Sequence, residues 1–134
     1  MTRRILIVDD EPTNVEVLIE YIEDQDVTYD VATNGQEAVD LAAAHHYDVI
    51  LMDLMMPVMD GMVATTRIRN MSKNQGIPPK IVALTAKDMS RKPITMLKTG
   101  FNEFVKKPFT EEGIALSLLT QINPKTAISG WTEH

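Results

Sequence analysis

Apolar and polar residues fall along this chain in blocks, and the period inside each block predicts its conformation. Residues 4–8 (RILIV) form an apolar run of strand length, followed at once by Asp9, Asp10 and Glu11. Pro12 stands where a first helical turn accepts proline, and Val15, Leu18, Ile19 and Ile22 recur at helical spacing, which predicts a helix over 12–24. Val27, Tyr29 and Val31 alternate with Thr28, Asp30 and Ala32, the pattern of an edge strand with one wetter face. Asn34-Gly35 marks a turn, and Ala38, Leu41 and Ala42 belong to a short helix ending near His45 and His46. Residues 49–52 (VILM) have the length and side chains of a strand buried on both faces. It ends at Asp53, because Pro57 and Gly61 follow and interrupt regular structure.

From Gly61 to residue 70 the chain reads as a third helix, and residues 71–79 (MSKNQGIPP) as a polar loop ending in a proline pair. Residues 81–84 make a fourth strand that ends at Thr85. Ser90 caps a fourth helix with Pro93 in its first turn, Ile94 and Leu97 on one face, and Gly100 as its stop. Phe104 and Val105 form a short fifth strand before Lys106-Lys107-Pro108. A last helix from Glu111 turns Ala115, Leu118, Leu119 and Ile122 inward and stops at Asn123-Pro124. Strand and helix thus alternate five times, which predicts an α/β fold: a doubly wound (βα)5 domain with a parallel sheet covered by helices on both faces. With the second strand at an edge, the order is 2-1-3-4-5, the flavodoxin-like arrangement, whose ligands bind at the carboxyl ends of the strands where strands 1 and 3 part. The domain is expected over 1–123, with 124–134 as a tail: a docking segment, the start of a linker or a frayed end.

Composition narrows the class without changing that picture. At 134 residues with 44% hydrophobic and 24% charged side chains, the chain suits one globular domain with a real core. It has no cysteine, which excludes disulfides and thiolate-bound metals. No apolar run approaches ~18 residues, and the start passes from Arg3-Arg4 directly into a strand, so neither a membrane span nor a signal peptide is expected and the protein is read as soluble and cytoplasmic. Net charge is −6, yet the first 60 residues carry 14 acids against Arg3 and Arg4 alone. The basic residues gather later, among them Lys87, Arg91, Lys92, Lys98 and Lys106. Such a divided chain is a poor nucleic-acid footprint and suits a cation-collecting site with a separate basic surface, either solvated or facing an acidic partner.

The candidate chemistry comes from combining topology with the polar residues that end each strand. Asp53 alone is either a hydrogen-bonded loop cap or a functional group. In the 2-1-3-4-5 order, Asp9 and Asp10 end strand 1, Asp53 ends strand 3, Thr85 ends strand 4 and Lys107 ends strand 5, so all five meet at one rim. Three carboxylates so close repel one another, and one takes up a proton unless positive charge compensates. Lys107 supplies one charge and a divalent cation two. An oxygen-only donor set with no His or Cys points to a hard ion, Mg2+ or Mn2+. His45 and His46 have no third ligand at zinc spacing and read as structural or solvated.

VDDEPTN, VILMDLMMPVMDG, IVALTA and FVKKPFT resemble, in order and spacing, the markers of the receiver domain of two-component response regulators, over residues 3–123. The wording MDLMMPVMDG with ALTA looks more like receivers of hybrid histidine kinases or phosphorelays than like chemotaxis receivers. The resemblance implies that Asp53 is the phosphoacceptor and attacks phosphohistidine on a histidine kinase or histidine phosphotransfer protein. It implies that Asp10, Asp53 and the main-chain carbonyl of Met55 bind Mg2+, with Asp9 acting through water. Lys107, not Lys106, pairs with a phosphoryl oxygen, and its peptide bond to Pro108 is expected to be cis. Thr85 and Phe104 are implied as a coupled switch that rearranges the face made by the fourth helix, fifth strand and fifth helix, where a downstream protein binds. Met55 and Lys87 fall where the family tunes water's access to the acyl phosphate; Met55 cannot hydrogen-bond an attacking water, and Lys87 acts either way. No direct nucleic-acid or membrane contact is expected.

Three other readings share parts of this pattern. A haloacid-dehalogenase-type phosphatase wants a second acid two residues after its nucleophile, and Met55 stands there. A flavodoxin-like flavin carrier wants hydroxyls and glycines after strand 1, where Asp9-Asp10-Glu11 repel phosphate. A receiver-like scaffold that binds partners without phosphorylation has no need of the intact acids, Thr85 and Lys107.

Overall fold

The structure, a computed structural model, describes residues 2–72, 76–86 and 93–119. Among the described residues, ten elements alternate as expected: β1 (Arg3–Val8), α1 (Pro12–Ile22), β2 (Val27–Ala32), α2 (Gly35–Ala44), β3 (Val49–Asp53), α3 (Gly61–Ser72), β4 (Lys80–Thr85), α4 (Pro93–Thr99), β5 (Glu103–Lys106) and α5 (Glu111–Ser117). The sheet order is β2-β1-β3-β4-β5, with each described pair parallel. β3 and β4 are buried along their whole length, as expected of central strands coated on both faces. Strand alternation splits their side chains between two apolar layers. Leu6, Val8, Ile50, Met52, Ile81 and Ala83 face α2, α3 and α4, while Ile5, Ile7, Val49, Leu51, Val82 and Leu84 face α1 and α5.

Local chemistry sets several boundaries. Pro12 opens α1, Asn34 caps α2 by accepting the Glu37 N–H at 2.9 Å, and Thr110 caps α5 by accepting the Gly113 N–H at 3.0 Å. Gly100, with φ 117°, ends α4 in the left-handed conformation that glycine adopts without strain.

Helix facing departs from expectation in two places. On α4, Met96 is buried and Leu97 is 45% exposed. On α5, Ile114, Ser117 and Leu118 point inward, Ala115 is half-buried and Leu119 is 47% exposed. Each helix has only 7 residues, and both apolar stripes available to it have helical spacing, so its own pattern does not choose between them. On β2, Tyr29 is exposed, whereas Asp30 is half-buried and accepts from Arg4 at 2.9 Å and from the Tyr47 hydroxyl at 2.7 Å. The Ser90 cap, Lys87, Arg91, Lys92, Ile122, the stop at Asn123-Pro124 and the tail lie outside the described residues, as does the side chain of Ile94.

Polar clamps hold the end of the sheet opposite Asp53. Lys80 and Glu103 form a buried ion pair of 2.7 Å between β4 and β5, and Lys80 Nζ also donates to the Leu119 carbonyl at 2.7 Å. Arg3 donates to the Leu118 carbonyl beside it. Arg69 on α3 donates to the Gly100 carbonyl at 2.8 Å, the Pro79 carbonyl at 2.6 Å and Asn102 Oδ1 at 2.7 Å. These clamps keep α4 and α5 seated while the opposite rim carries the candidate chemistry.

Candidate functional site

Register brings the candidate residues together. Val8 pairs with Met52, so the next residues, Asp9 and Asp53, leave adjacent strands side by side. Carboxylate oxygens of Asp9, Asp10 and Asp53 all lie within 4.8 Å of one another. Asp9 is fully buried, Asp53 is 3% exposed and Asp10 is exposed. From the residue after β5, Lys107 reaches Asp53 Oδ1 with Nζ at 3.3 Å, and the Met55 N–H meets the same oxygen at 3.4 Å. The Lys107 N–H donates to the Thr85 carbonyl at 2.7 Å, tying the ends of β4 and β5 together, and the Lys107–Pro108 peptide is cis. Lys106 is exposed.

Thr85 is 5% exposed at the end of β4. Phe104 pairs with Ala83, two residues before Thr85, so the two side chains share one sheet face. Phe104 is half-buried there against the α2–α3–α4 layer. A cavity of about 460 Å3 opens beside Asp53, lined in part by Thr85, Met62, Leu84, Met96 and Lys107. It leaves room for side-chain rearrangement next to the carboxylate.

The charges do not balance. Asp9 Oδ1 accepts the Glu11 N–H at 2.9 Å, but Asp9 Oδ2 is buried with no hydrogen-bond partner among the described residues. Burial, reinforced by the Asp53 charge, pushes the Asp9 carboxyl up to about 6, against the opposing pull of the Glu11 N–H, Lys107 and Asn14. Among the described residues, three carboxylates share one nearby lysine, one Asp9 oxygen stays unsatisfied, and every side-chain donor atom is oxygen. That set fits a hard divalent cation, which would take up the surplus charge and the orphaned oxygen together.

The loop after Asp53 is braced by close backbone approaches that patterning did not reveal. A Cβ on Gly61 would stand 2.2 Å from the Asp53 carbonyl oxygen, and one on Gly35 would stand 2.3 Å from that of Met59. The Gly61 N–H donates to the Leu54 carbonyl at 3.1 Å and the Gly35 N–H to the Met59 carbonyl at 3.0 Å. Asp60 caps α3 by accepting the Val63 N–H at 2.9 Å. Only the turn at Asn34-Gly35 and the interruption at Gly61 hinted at these contacts. The Lys80–Glu103 pair was likewise unforeseen; its signal is a charged residue opening each of two short apolar strands.

Comparison with known proteins follows the same outline. The sequence profile described as the response regulator receiver domain matches residues 5–119. Hybrid signal transduction histidine kinase B of Dictyostelium discoideum is 38% identical over 125 residues, which cover 87% of this chain but 6% of that kinase. The chain therefore spans a small fraction of that relative. The receiver domain of a sensor histidine kinase from Pseudomonas aeruginosa PAO1, solved with a magnesium ion coordinated in its active site cleft, has a TM-score of 0.76 and 32% identity over 88% of this chain and 95% of its own. The chain also matches a co-crystal structure of a Saccharomyces cerevisiae histidine phosphotransfer signaling protein and the receiver domain of its downstream response regulator. There the TM-score is 0.78 and the identity 31%, over 85% of this chain and 84% of the matched one.

Proposed function

The chain belongs to the response regulator receiver domain family, and from that premise we propose that Asp53 accepts a phosphoryl group from a phosphohistidine on a histidine kinase or histidine phosphotransfer protein. One observation carries the reading: three carboxylates bring oxygens within 4.8 Å of one another, Asp53 is paired with Lys107, and Asp9 keeps an unsatisfied buried oxygen. That is the surplus of negative charge a phosphoryl-transfer site holds for its cation. Asp10, Asp53 and the Met55 main-chain carbonyl would hold Mg2+, with Asp9 acting through water; Mn2+ suits the same donors. When bound, the cation supplies positive charge to the equatorial phosphoryl oxygens.

The chain's own residues do the rest. An Asp53 carboxylate oxygen attacks phosphorus in line, the nitrogen–phosphorus bond breaks, and the histidine nitrogen leaves with the electron pair. Lys107 Nζ, already 3.3 Å from Asp53 Oδ1, neutralises a phosphoryl oxygen. Thr85 then donates its hydroxyl to another, and Phe104 follows into the space that Thr85 vacates. This population shift alters the α4–β5–α5 face, to which a downstream protein binds. Lys98 and Lys106 are exposed on α4 and β5 and offer two cations to an acidic partner, beside the exposed Glu111 and Glu112 of α5. The domain is a regulatory phosphoacceptor that assists its own phosphorylation and dephosphorylation. The Met55 side chain is 83% exposed and offers an attacking water no hydrogen bond, which favours slow self-hydrolysis. No described helix is long and apolar enough to cross a membrane, and the working location in this reading is the cytoplasm, without direct nucleic-acid contact.

The test is incubation with acetyl phosphate and Mg2+, read by intact mass for native protein and for Asp53→Ala. One added phosphoryl group on the native chain, dependent on Mg2+ and absent from Asp53→Ala, is the expected result. Equal labelling of Asp53→Ala refutes the assignment. A native chain that stays unlabelled favours the alternative, a receiver-like scaffold that binds partners without phosphorylation.

A further inference from the structure

Methionines gather around Asp53, and the structure sorts them by exposure. Met52 and Met96 are buried, while Met56, Met59, Met62 and Met71 are half-buried against the α2–α3–α4 layer. Met55 belongs to neither apolar layer and is 83% exposed, the one exposed methionine among the described residues. Packing therefore gives no reason for a thioether at position 55. The residue stands close to the chemistry all the same. Its N–H lies 3.4 Å from Asp53 Oδ1, and it lines the cavity of about 460 Å3 together with Asp53, Thr85 and Lys107.

Resting on the reading of Asp53 as phosphoacceptor, we propose that Met55 is an oxidation site through which a hydroperoxide shortens the life of the acyl phosphate. In the oxidation the thioether sulfur attacks one peroxide oxygen and the oxygen–oxygen bond breaks. The departing hydroxide takes the proton of the transferred hydroxyl and leaves as water, so sulfur loses two electrons and the peroxide gains them. Access to the oxidant favours Met55 over its buried and half-buried neighbours. The product is tolerated there as well, because a sulfoxide at Met55 stands in water, whereas one at Met52 or Met96 would place an unpaired oxygen in the core. A thioether sulfur is only a weak hydrogen-bond acceptor, and the sulfoxide oxygen is a polar one. Beside Asp53 that oxygen accepts a hydrogen from a water molecule and turns the water's lone pair toward phosphorus. The water oxygen then bonds to phosphorus, the bond from phosphorus to the Asp53 oxygen breaks, the carboxylate leaves with the electron pair, and a proton passes to solvent as inorganic phosphate is released. Oxidation thus ends the phosphorylated state early without unfolding the domain.

The experiment treats native protein and Met55→Leu with hydrogen peroxide and locates the added oxygen by peptide mass. Both proteins, treated and untreated, are then phosphorylated with acetyl phosphate and Mg2+, and loss of the phosphoryl group is followed by intact mass after the donor is removed. Met55 is expected to gain its oxygen ahead of Met52 and Met96. The oxidised native protein is expected to lose its phosphoryl group about three- to tenfold faster than the untreated one, the gain that one neutral hydrogen bond made in the transition state supplies. A methionine sulfoxide reductase restores the slower loss, and Met55→Leu shows the same lifetime before and after treatment. Oxidation of Met52 or Met96 ahead of Met55 overturns the proposal. So does a lifetime that is unchanged or lengthened once Met55 is oxidised, or an equal acceleration in Met55→Leu. Failure of acetyl phosphate to label untreated native protein at Asp53 overturns instead the phosphoacceptor reading on which the oxidation site rests.

Discussion

Asp9 concentrates the tension of the site in one side chain. Its carboxyl is pushed up to about 6 in the fold from an ordinary 3.8. Between those values the metal-free folded protein holds a proton that the unfolded chain has released, so its stability declines as pH rises through this window. A cation requires the ionised form, so affinity runs the other way and grows as pH climbs through 6. Calorimetric titration with Mg2+ from pH 5 to 8 is expected to show affinity falling by up to about tenfold per pH unit below 6. Asp9→Asn should raise the metal-free unfolding free energy near pH 7.5 by about 1–3 kcal/mol and sharply weaken Mg2+ binding, measured by urea denaturation with and without the ion. Gly61 shows the opposite kind of constraint, one of space. Because a Cβ there would meet the Asp53 carbonyl oxygen at 2.2 Å, Gly61→Ala displaces backbone rather than a flexible side chain. It is expected to cost about 1–3 kcal/mol in denaturation and to slow labelling of Asp53 by acetyl phosphate.

Among the elements, β4 and β5 are joined by more than their ladder. Lys80 and Glu103 are buried at 2.7 Å from each other, and burial holds the Lys80 amine below its usual range despite the Glu103 charge beside it. Glu103→Ala removes the carboxylate 2.7 Å from that amine and is expected to lower stability by about 3–5 kcal/mol, while the double change Lys80→Met with Glu103→Leu recovers most of the loss. Urea midpoints of the three variants decide the matter. α4 and α5 show why helix facing was harder to read than helix position. Cap and stop residues such as Gly100 and Thr110 act locally and mark boundaries well. Over 7 residues, however, Met96 competes with Leu97, and Ile114 with Ala115, for the inward side. The choice goes to whichever residue meets the sheet.

At the scale of the whole molecule, the fold gathers three carboxylates at one rim, a charge that a bound cation would neutralise. Mg2+ should therefore stabilise the folded chain, by about 2.7 kcal/mol at a concentration one hundred times its Kd, and chelation should reverse the gain. Thermal denaturation in Mg2+ and in EDTA measures this, and the Asp53→Ala protein should show a smaller difference. The order of strands and the meeting of Asp9, Asp10, Asp53, Thr85 and Lys107 were legible from the chain because they depend on short-range features: apolar runs of strand length, helical spacing, and a polar residue where each run stops. Right-handed crossovers then leave few arrangements for five parallel strands. Other features were settled only by tertiary structure. The Lys80–Glu103 pair, the approaches of Gly35 and Gly61 to backbone carbonyls, and the inward faces of α4 and α5 depend on distances between segments far apart in sequence. Those distances exist only once the layers have packed on the sheet.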